Sequence, residues 1–355
     1  MLELHPAVFA VGNTYHIMVY VEEQSLMWVK VGDETYYDDS NGILRSNTKI
    51  HRMIVPMERL NEAKKYTICE RKIIERKPYF TETQEIEEFE YKFKPVEGDN
   101  VRAYMVADAH NRVEEPIKAQ QTFGDVDFLI MNGDIQDHSG SVENFKTIYE
   151  IVSGITGGNI PTVFSRGNHD LRGNDAEKFA EYTPMENGNT YYTFRFGKIW
   201  GLVLDCGEDK LDSNDEYGHT ICCHEFRKRQ TKYIKKVVAE KEYLAEGIEQ
   251  RVVITHNPFT YQLKPPFNIE KDIFTEWSQL LKEHIKPDVM LCGHLHRLAV
   301  FRPGSEDDHL GQPCPVVVGS KVQDFYAGTG IEFNSDGITV AFTGCNGETI
   351  CTEKI

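Results

Sequence analysis

Hydrophobic and polar positions divide the chain into two textures. Up to about residue 97, short apolar or alternating runs recur between turn residues. Val8 to Val11 meets a Gly-Asn turn, and His16 to Val21 follows. Ile50 to Val55, Tyr66 to Ile74 and Phe89 to Phe93 come later, and Asp38 to Gly42 is turn-rich. This spacing predicts strands packed as a small β-sandwich, and Tyr66, six residues after Leu60, fits a tyrosine corner. The stretch Lys94 to Asn100 has linker composition. It sets a boundary between an accessory β-sandwich domain, 1–97, and a second domain, 98–355.

Beyond the boundary, strand-like and helical patterns alternate. Buried-strand runs occur at Ala103–Ala107, Phe128–Met131, Thr162–Phe164, Trp200–Leu204, Val252–Thr255 and Val289–Cys292. Between them, helical spacing puts Phe145, Ile148, Tyr149 and Val152 on one face. It does the same for Phe226, Tyr233, Ile234, Val237 and Val238, and for Ile273, Trp277, Leu280 and Leu281. The pattern is α/β. Asn346-Gly347 between two terminal apolar runs predicts a closing hairpin.

Composition narrows the class. With 40% hydrophobic and 27% charged residues in 355, the chain reads as a soluble globular protein. Its apolar runs are too short to span a bilayer, and the first residues show no signal-peptide pattern. A formal net charge of −17 argues against a nucleic-acid or anionic-membrane surface. It leaves room for a phosphorylated substrate, because bound metals reverse the local sign. Eight cysteines, none in a C-x-x-C pair, read as reduced thiols, and the expected location is cytoplasmic.

Five polar motifs each follow an apolar run. They are Asp108-Ala109-His110, Gly133-Asp134-Ile135-Gln136-Asp137, Gly167-Asn168-His169-Asp170, His256, and Gly293-His294-Leu295-His296. Taken singly, each is weak: Gly-Asp is usually a turn, and a lone histidine after a strand is usually a core or loop residue. Together, at successive strand ends, they converge on the edge of an α/β sheet where ligands bind. Imidazoles, carboxylates and a carboxamide suit Mn, Fe or Zn better than Ca. Seven ligands exceed what one ion takes, so the set predicts two metal ions sharing a carboxylate.

The ordered set D-x-H, G-D-x-x-D, G-N-H-D, H, G-H-x-H resembles the calcineurin-like metallophosphoesterase superfamily across about residues 100 to 320. The resemblance implies a two-sheet β sandwich flanked by helices, with metals at the strand ends. It assigns Asp108, His110, Asp134 and His296 to one metal. Asp134, Asn168, His256 and His294 go to the other, with Asp134 bridging. It makes His169 the catalytic histidine, Asp137 the carboxylate that orients it, and Arg166 a phosphate contact. The N-terminal strand pattern is similar to the fibronectin III-like accessory domain of purple acid phosphatases. Those enzymes carry Tyr where this chain has Asp137 and lack the equivalent of His110, so the metal site departs from theirs.

The implied chemistry is hydrolysis of phosphate esters by a metal-bridging hydroxide, with His169 as general acid. Phosphodiesters are the alternative substrates. A phosphoesterase fold kept only as a binding scaffold is a further reading, and it is disfavoured because all seven ligands and His169 are present. Arg172 is a second candidate phosphate clamp. The long polar loop of about residues 206 to 224 is a candidate overhang, with His219 and His224 on it.

Overall fold

The computed structural model describes residues 2–355. Two mixed β-sheets lie face to face. The first has nine strands, in the order Thr349–Lys354, Gly337–Gly344, Ala327–Asn334, Val101–Val106, Phe128–Asn132, Thr162–Ser165, Ala7–Val11, Thr14–Tyr20 and Ile50–Pro56. The second has six: Tyr192–Phe196, Ile199–Val203, Gln250–Ile254, Val289–Cys292, Val316–Gly319 and Leu298–Phe301. The central strands of each are parallel. That places their carboxyl ends on one edge.

Strand alternation explains why these runs are apolar throughout. Successive side chains point to opposite faces, and both faces are covered. Met105, Ile130, Val163, Ile254, Leu291 and Val317 fill the space between the sheets. Their neighbours Val106, Leu129 and Met131 meet the helix Lys146–Thr156 through Ile148, Tyr149 and Val152. Beyond the second sheet, Leu202, Val253 and Met290 pack on the helices Cys223–Glu240 and Lys271–Leu280 through Ile234, Val237 and Trp277. The three helices and the hairpin of Gly337–Gly344 with Thr349–Lys354 fall where the pattern places them.

Residues 1–97 are β-rich, as expected, but their strands do not form a free-standing sandwich. Ala7–Val11 pairs in parallel with Thr162–Ser165, and Thr14–Tyr20 and Ile50–Pro56 extend the same sheet. The physical reason is in the sequence: Ala7 to Val11 is buried on both faces, so it needs cover on both and finds it as an interior strand. The rest of the segment forms an antiparallel sheet of five strands, with Ser25–Val31 and Lys65–Glu75 at its centre. Met27, Val29 and Ile68 from that sheet belong to the same core as Val8, Ile17 and Met105. The tyrosine-corner expectation is likewise corrected, because the Tyr66 hydroxyl donates to the carbonyl of Gly158, at 2.7 Å, in the second half of the fold.

Candidate metal centre

All five motifs emerge from strand carboxyl ends onto the shared edge. Asp108 follows Val101–Val106, Asp134 follows Phe128–Asn132, and Asn168 follows Thr162–Ser165. His256 follows Gln250–Ile254, and His294 follows Val289–Cys292. The backbone turns hard there. Asp108, His110, Asp134, His294 and His296 all sit at positive φ, between 44° and 70°. For residues other than glycine this region costs on the order of 1–3 kcal/mol each, and such strain collects at functional sites. Gly133 and Gly167 allow two of the loops to touch. A Cβ on Gly133 would lie 2.6 Å from the Gly167 backbone, and one on Gly167 would lie 2.4 Å from the Asp134 nitrogen.

Three groups of donors result: Asp108 with His110 and His296, Asp134 with His256 and His294, and His110 with Asp137 and His169. Nε2 of His256 is 3.1 Å from Asp134 Oδ2 and 3.6 Å from Asp108 Oδ1. Nε2 of His296 is 3.3 Å from Asp108 Oδ1 and 3.2 Å from Nε2 of His110. The seven residues proposed from sequence as ligands therefore meet at one place, with Asn168 against His294 Nδ1 at 2.9 Å.

The donors fit cations. Asp108 Oδ2 is satisfied by the backbone N–H of His294, at 2.9 Å, and by the hydroxyl of Ser320. Its Oδ1 is buried, faces the cluster and has no hydrogen-bond partner among the described residues. His256 Nδ1 donates to the Asn132 carbonyl at 2.7 Å, which turns Nε2 toward the two carboxylates. That Nε2 is also buried, and its 3.1 Å approach to Asp134 Oδ2 is not a well-aligned hydrogen bond. The Asn168 carboxamide can present its oxygen to the cluster, where it faces acceptors. Turned over, its nitrogen donates to His294 Nδ1 and Asp134 Oδ2. The oxygen-inward arrangement is the one a cation favours.

Charge in the cluster follows the same logic. Burial works against ionisation of Asp134, but the charge of His256 outweighs it and holds the carboxyl below its usual range. Burial alone would lower His256, yet Asp134 and Asp108 together raise it. Burial pushes Asp170 up to about 8, helped by Asp134, although the Gly167 N–H donates to it at 2.7 Å. Burial, with the charge of His256, pushes His294 down to about 4.

The residues named for catalysis are partly redistributed. His169 flanks the cluster: its backbone N–H donates to Asp134 Oδ1 at 2.8 Å, and its ring lies 4.8 Å from that of His110. Its Nδ1 donates to the main-chain carbonyl of Asp137 at 2.9 Å. The Asp137 carboxylate is farther from that atom, at 3.7 Å, and nearer to His110 Nδ1, at 3.2 Å. Arg166 is paired with buried Asp205 at 2.7 Å and set between the rings of Phe179 and Phe226. Arg172 is the arginine beside His169, with Nη1 3.3 Å from Nε2. Glu208 grips the other side of that guanidinium at 2.8 and 3.0 Å.

Glu208, Asp205 and Ser320 were not among the residues singled out from sequence, yet each lies just beyond a strand carboxyl end. The positional rule that found the five motifs also finds these. The polar loop after residue 206 does fold toward the site. Glu208 and Asp209 approach it, while His219 is exposed and His224 pairs with Glu270 at 3.1 Å. All eight cysteines are free thiols, and Cys206 lies against Thr255.

A family profile described as calcineurin-like phosphoesterase matches residues 101–298. The chain belongs to the calcineurin-like phosphoesterase family. It is therefore a metal-dependent phosphoesterase. Among solved structures, the purple acid phosphatase PPD1 from yellow lupin (Lupinus luteus) seeds superposes with a TM-score of 0.63 at 11% identity. That alignment covers 98% of this chain and 73% of the lupin one, so the fold is shared across the N-terminal strands as well. A dimetal phosphatase from Danio rerio aligns over 73% of this chain and 99% of its own, at 11% identity and a TM-score of 0.48. No curated protein matches the chain by sequence. Among the described residues, no helix is long and apolar enough to cross a membrane.

Proposed function

We propose that this protein hydrolyses phosphate esters with two metal ions that share Asp134. Asp108, His110 and His296 would complete one site. Asn168, His256 and His294 would complete the other. The observation that carries this reading is the convergence of Asp108 Oδ1 and Asp134 Oδ2 on His256 Nε2, at 3.6 and 3.1 Å, in a buried cluster where neither Asp108 Oδ1 nor His256 Nε2 makes a well-aligned hydrogen bond. Burying such atoms without well-aligned partners is costly, and bound cations remove that cost. The nitrogen-rich, thiolate-free donor set suits Mn, Fe or Zn. When bound, two such ions activate water and neutralise phosphoryl oxygens.

The chain's own residues do the rest. His169, with Nδ1 tied to the Asp137 carbonyl, presents Nε2 beside the cluster and is the group placed to hand a proton to the departing alkoxide. Arg172 presents Nη1 at the same point as a contact for the phosphoryl group. Arg166, committed to Asp205, supports the loop that carries Gly167 and Asn168. Turnover of p-nitrophenyl phosphate and of bis-p-nitrophenyl phosphate with added Mn tests the reading. Hydrolysis of either supports it. No hydrolysis of either, with two metals bound, points instead to a scaffold.

A further inference from the structure

The loop after Val101–Val106 and the loop after Phe128–Asn132 are tied together along their length. The backbone N–H groups of His110 and Asn111 donate to the carbonyls of Asp134 and Ile135, at 3.1 and 3.0 Å. In return the Asp137 N–H donates to Asn111 Oδ1 at 3.2 Å. The tie ends on two side chains, with His110 Nδ1 3.2 Å from Asp137 Oδ1. The other nitrogen of that ring, Nε2, is 3.2 Å from Nε2 of His296 and so faces the cluster.

Asp137 meets two histidines through different atoms. Its main-chain carbonyl accepts from His169 Nδ1 at 2.9 Å, while its carboxylate stays 3.7 Å from that nitrogen. The histidine that the carboxylate is placed to orient is therefore His110. These three residues also cluster as a group that could hold an ion of its own. The hydrogen bonds argue against that use. A carbonyl and a carboxylate oxygen only accept, so both Nδ1 atoms carry hydrogens where a cation would need lone pairs.

Resting on the two-metal reading above, we propose that Asp137 is a positioning residue for the metal site that His110 completes. Its carboxylate accepts from His110 Nδ1, holds the ring in the tautomer whose Nε2 is a lone pair, and makes that nitrogen a stronger ligand. The bond from the Asp137 N–H to Asn111 keeps carboxylate and ring together. The Asp137 side chain is 53% exposed, so the effect falls at the lower end of the range for such outer partners, about ten-fold in metal affinity.

Calorimetric titration of the chelator-stripped protein with Mn tests this without turnover. The parent should bind two ions. Asp137→Ala should weaken one of them about ten-fold and leave the other unchanged. Asp137→Asn retains an acceptor for His110 Nδ1 and should weaken the same ion by less. Both changes fall on a half-exposed side chain and spare the core. Two ions bound with parent affinities in Asp137→Ala overturn the assignment and leave the two-metal reading standing. Equal weakening of both ions overturns it as well, because it marks a general loosening of the loops. A third Mn in the parent that Asp137→Ala loses overturns it in favour of an ion held by His110, Asp137 and His169. A parent that binds fewer than two ions overturns it together with the two-metal reading.

Discussion

Arg172 stands with Nη1 3.3 Å from Nε2 of His169 while Glu208, fully buried, fixes its Nε and Nη2. Nε and Nη2 are anchored, and Nη1 lies between His169 and the partly exposed Glu216, 3.6 Å away. Tyr217 adds a hydroxyl to Glu208 at 3.0 Å, so the anchor is itself held. We predict that Arg172→Ala raises KM about ten-fold or more, with a smaller effect on kcat, and that inorganic phosphate inhibits it correspondingly less. Glu208→Gln should move both quantities in the same direction by a smaller factor. An unchanged KM in Arg172→Ala would show that the arginine does not meet the phosphoryl group.

His169 lies outside the groups built on Asp108 and on Asp134, and shares a third, more exposed group with His110 and Asp137. Its removal should spare the metal held at the first two groups and reach the chemistry. We predict that His169→Ala lowers kcat by roughly 10²–10⁴-fold, the usual size of a proton-transfer contribution, and most for esters with poor leaving groups. A uniform loss across leaving groups would assign it to positioning instead.

Much of this site was legible in the sequence because strand ends on a parallel sheet share one edge. Residues as far apart as Asp108 and His296 could be placed together from position alone. The pairing of side chains was not legible. Nothing local says that Arg166 turns to Asp205 and Arg172 to Glu208, since both choices depend on a loop that crosses from the second sheet. The N-terminal strands were read correctly as strands, but their partners were not. Alternation shows which face of a strand is buried, whereas Ala7–Val11 is buried on both and belongs beside Thr162–Ser165.

That pairing makes a prediction about the boundary near residue 97. Deleting residues 1–97 strips Phe9 from Tyr149 and Phe164, removes the Tyr66 bond to Gly158, and leaves Thr162–Ser165 as a bare hydrophobic edge. Exposed edges of that kind aggregate. We expect the fragment 98–355 to be insoluble, or to lack a cooperative thermal transition. A soluble, folded fragment that binds metal would show that the two segments are independent domains.

Acid stability provides a separate check on the same region. His16, on Thr14–Tyr20, is buried with Nδ1 unpartnered. Burial, aided by the charge of Arg52, pushes it down to about 3 from an ordinary 6.5. Between those values the unfolded chain takes up a proton and the folded one does not. Its contribution to stability is thus intact above pH 6.5 and is lost as pH falls from 6.5 toward 3. At about 1.4 kcal/mol per pKa unit, the loss is on the order of several kcal/mol. Urea unfolding of His16→Leu between pH 7 and pH 4 should show a shallower decline than the parent protein. Parallel curves would mean that His16 protonates in place.

The central claim, that two cations share Asp134, is tested most directly by metal stoichiometry. Chelator-stripped protein titrated with Mn in a calorimeter should bind two ions per chain. Asp134→Ala, which removes the shared carboxylate, should bind fewer than one at the same concentrations. A parent protein that binds one ion or none, or an Asp134→Ala variant that still binds two, would contradict the account.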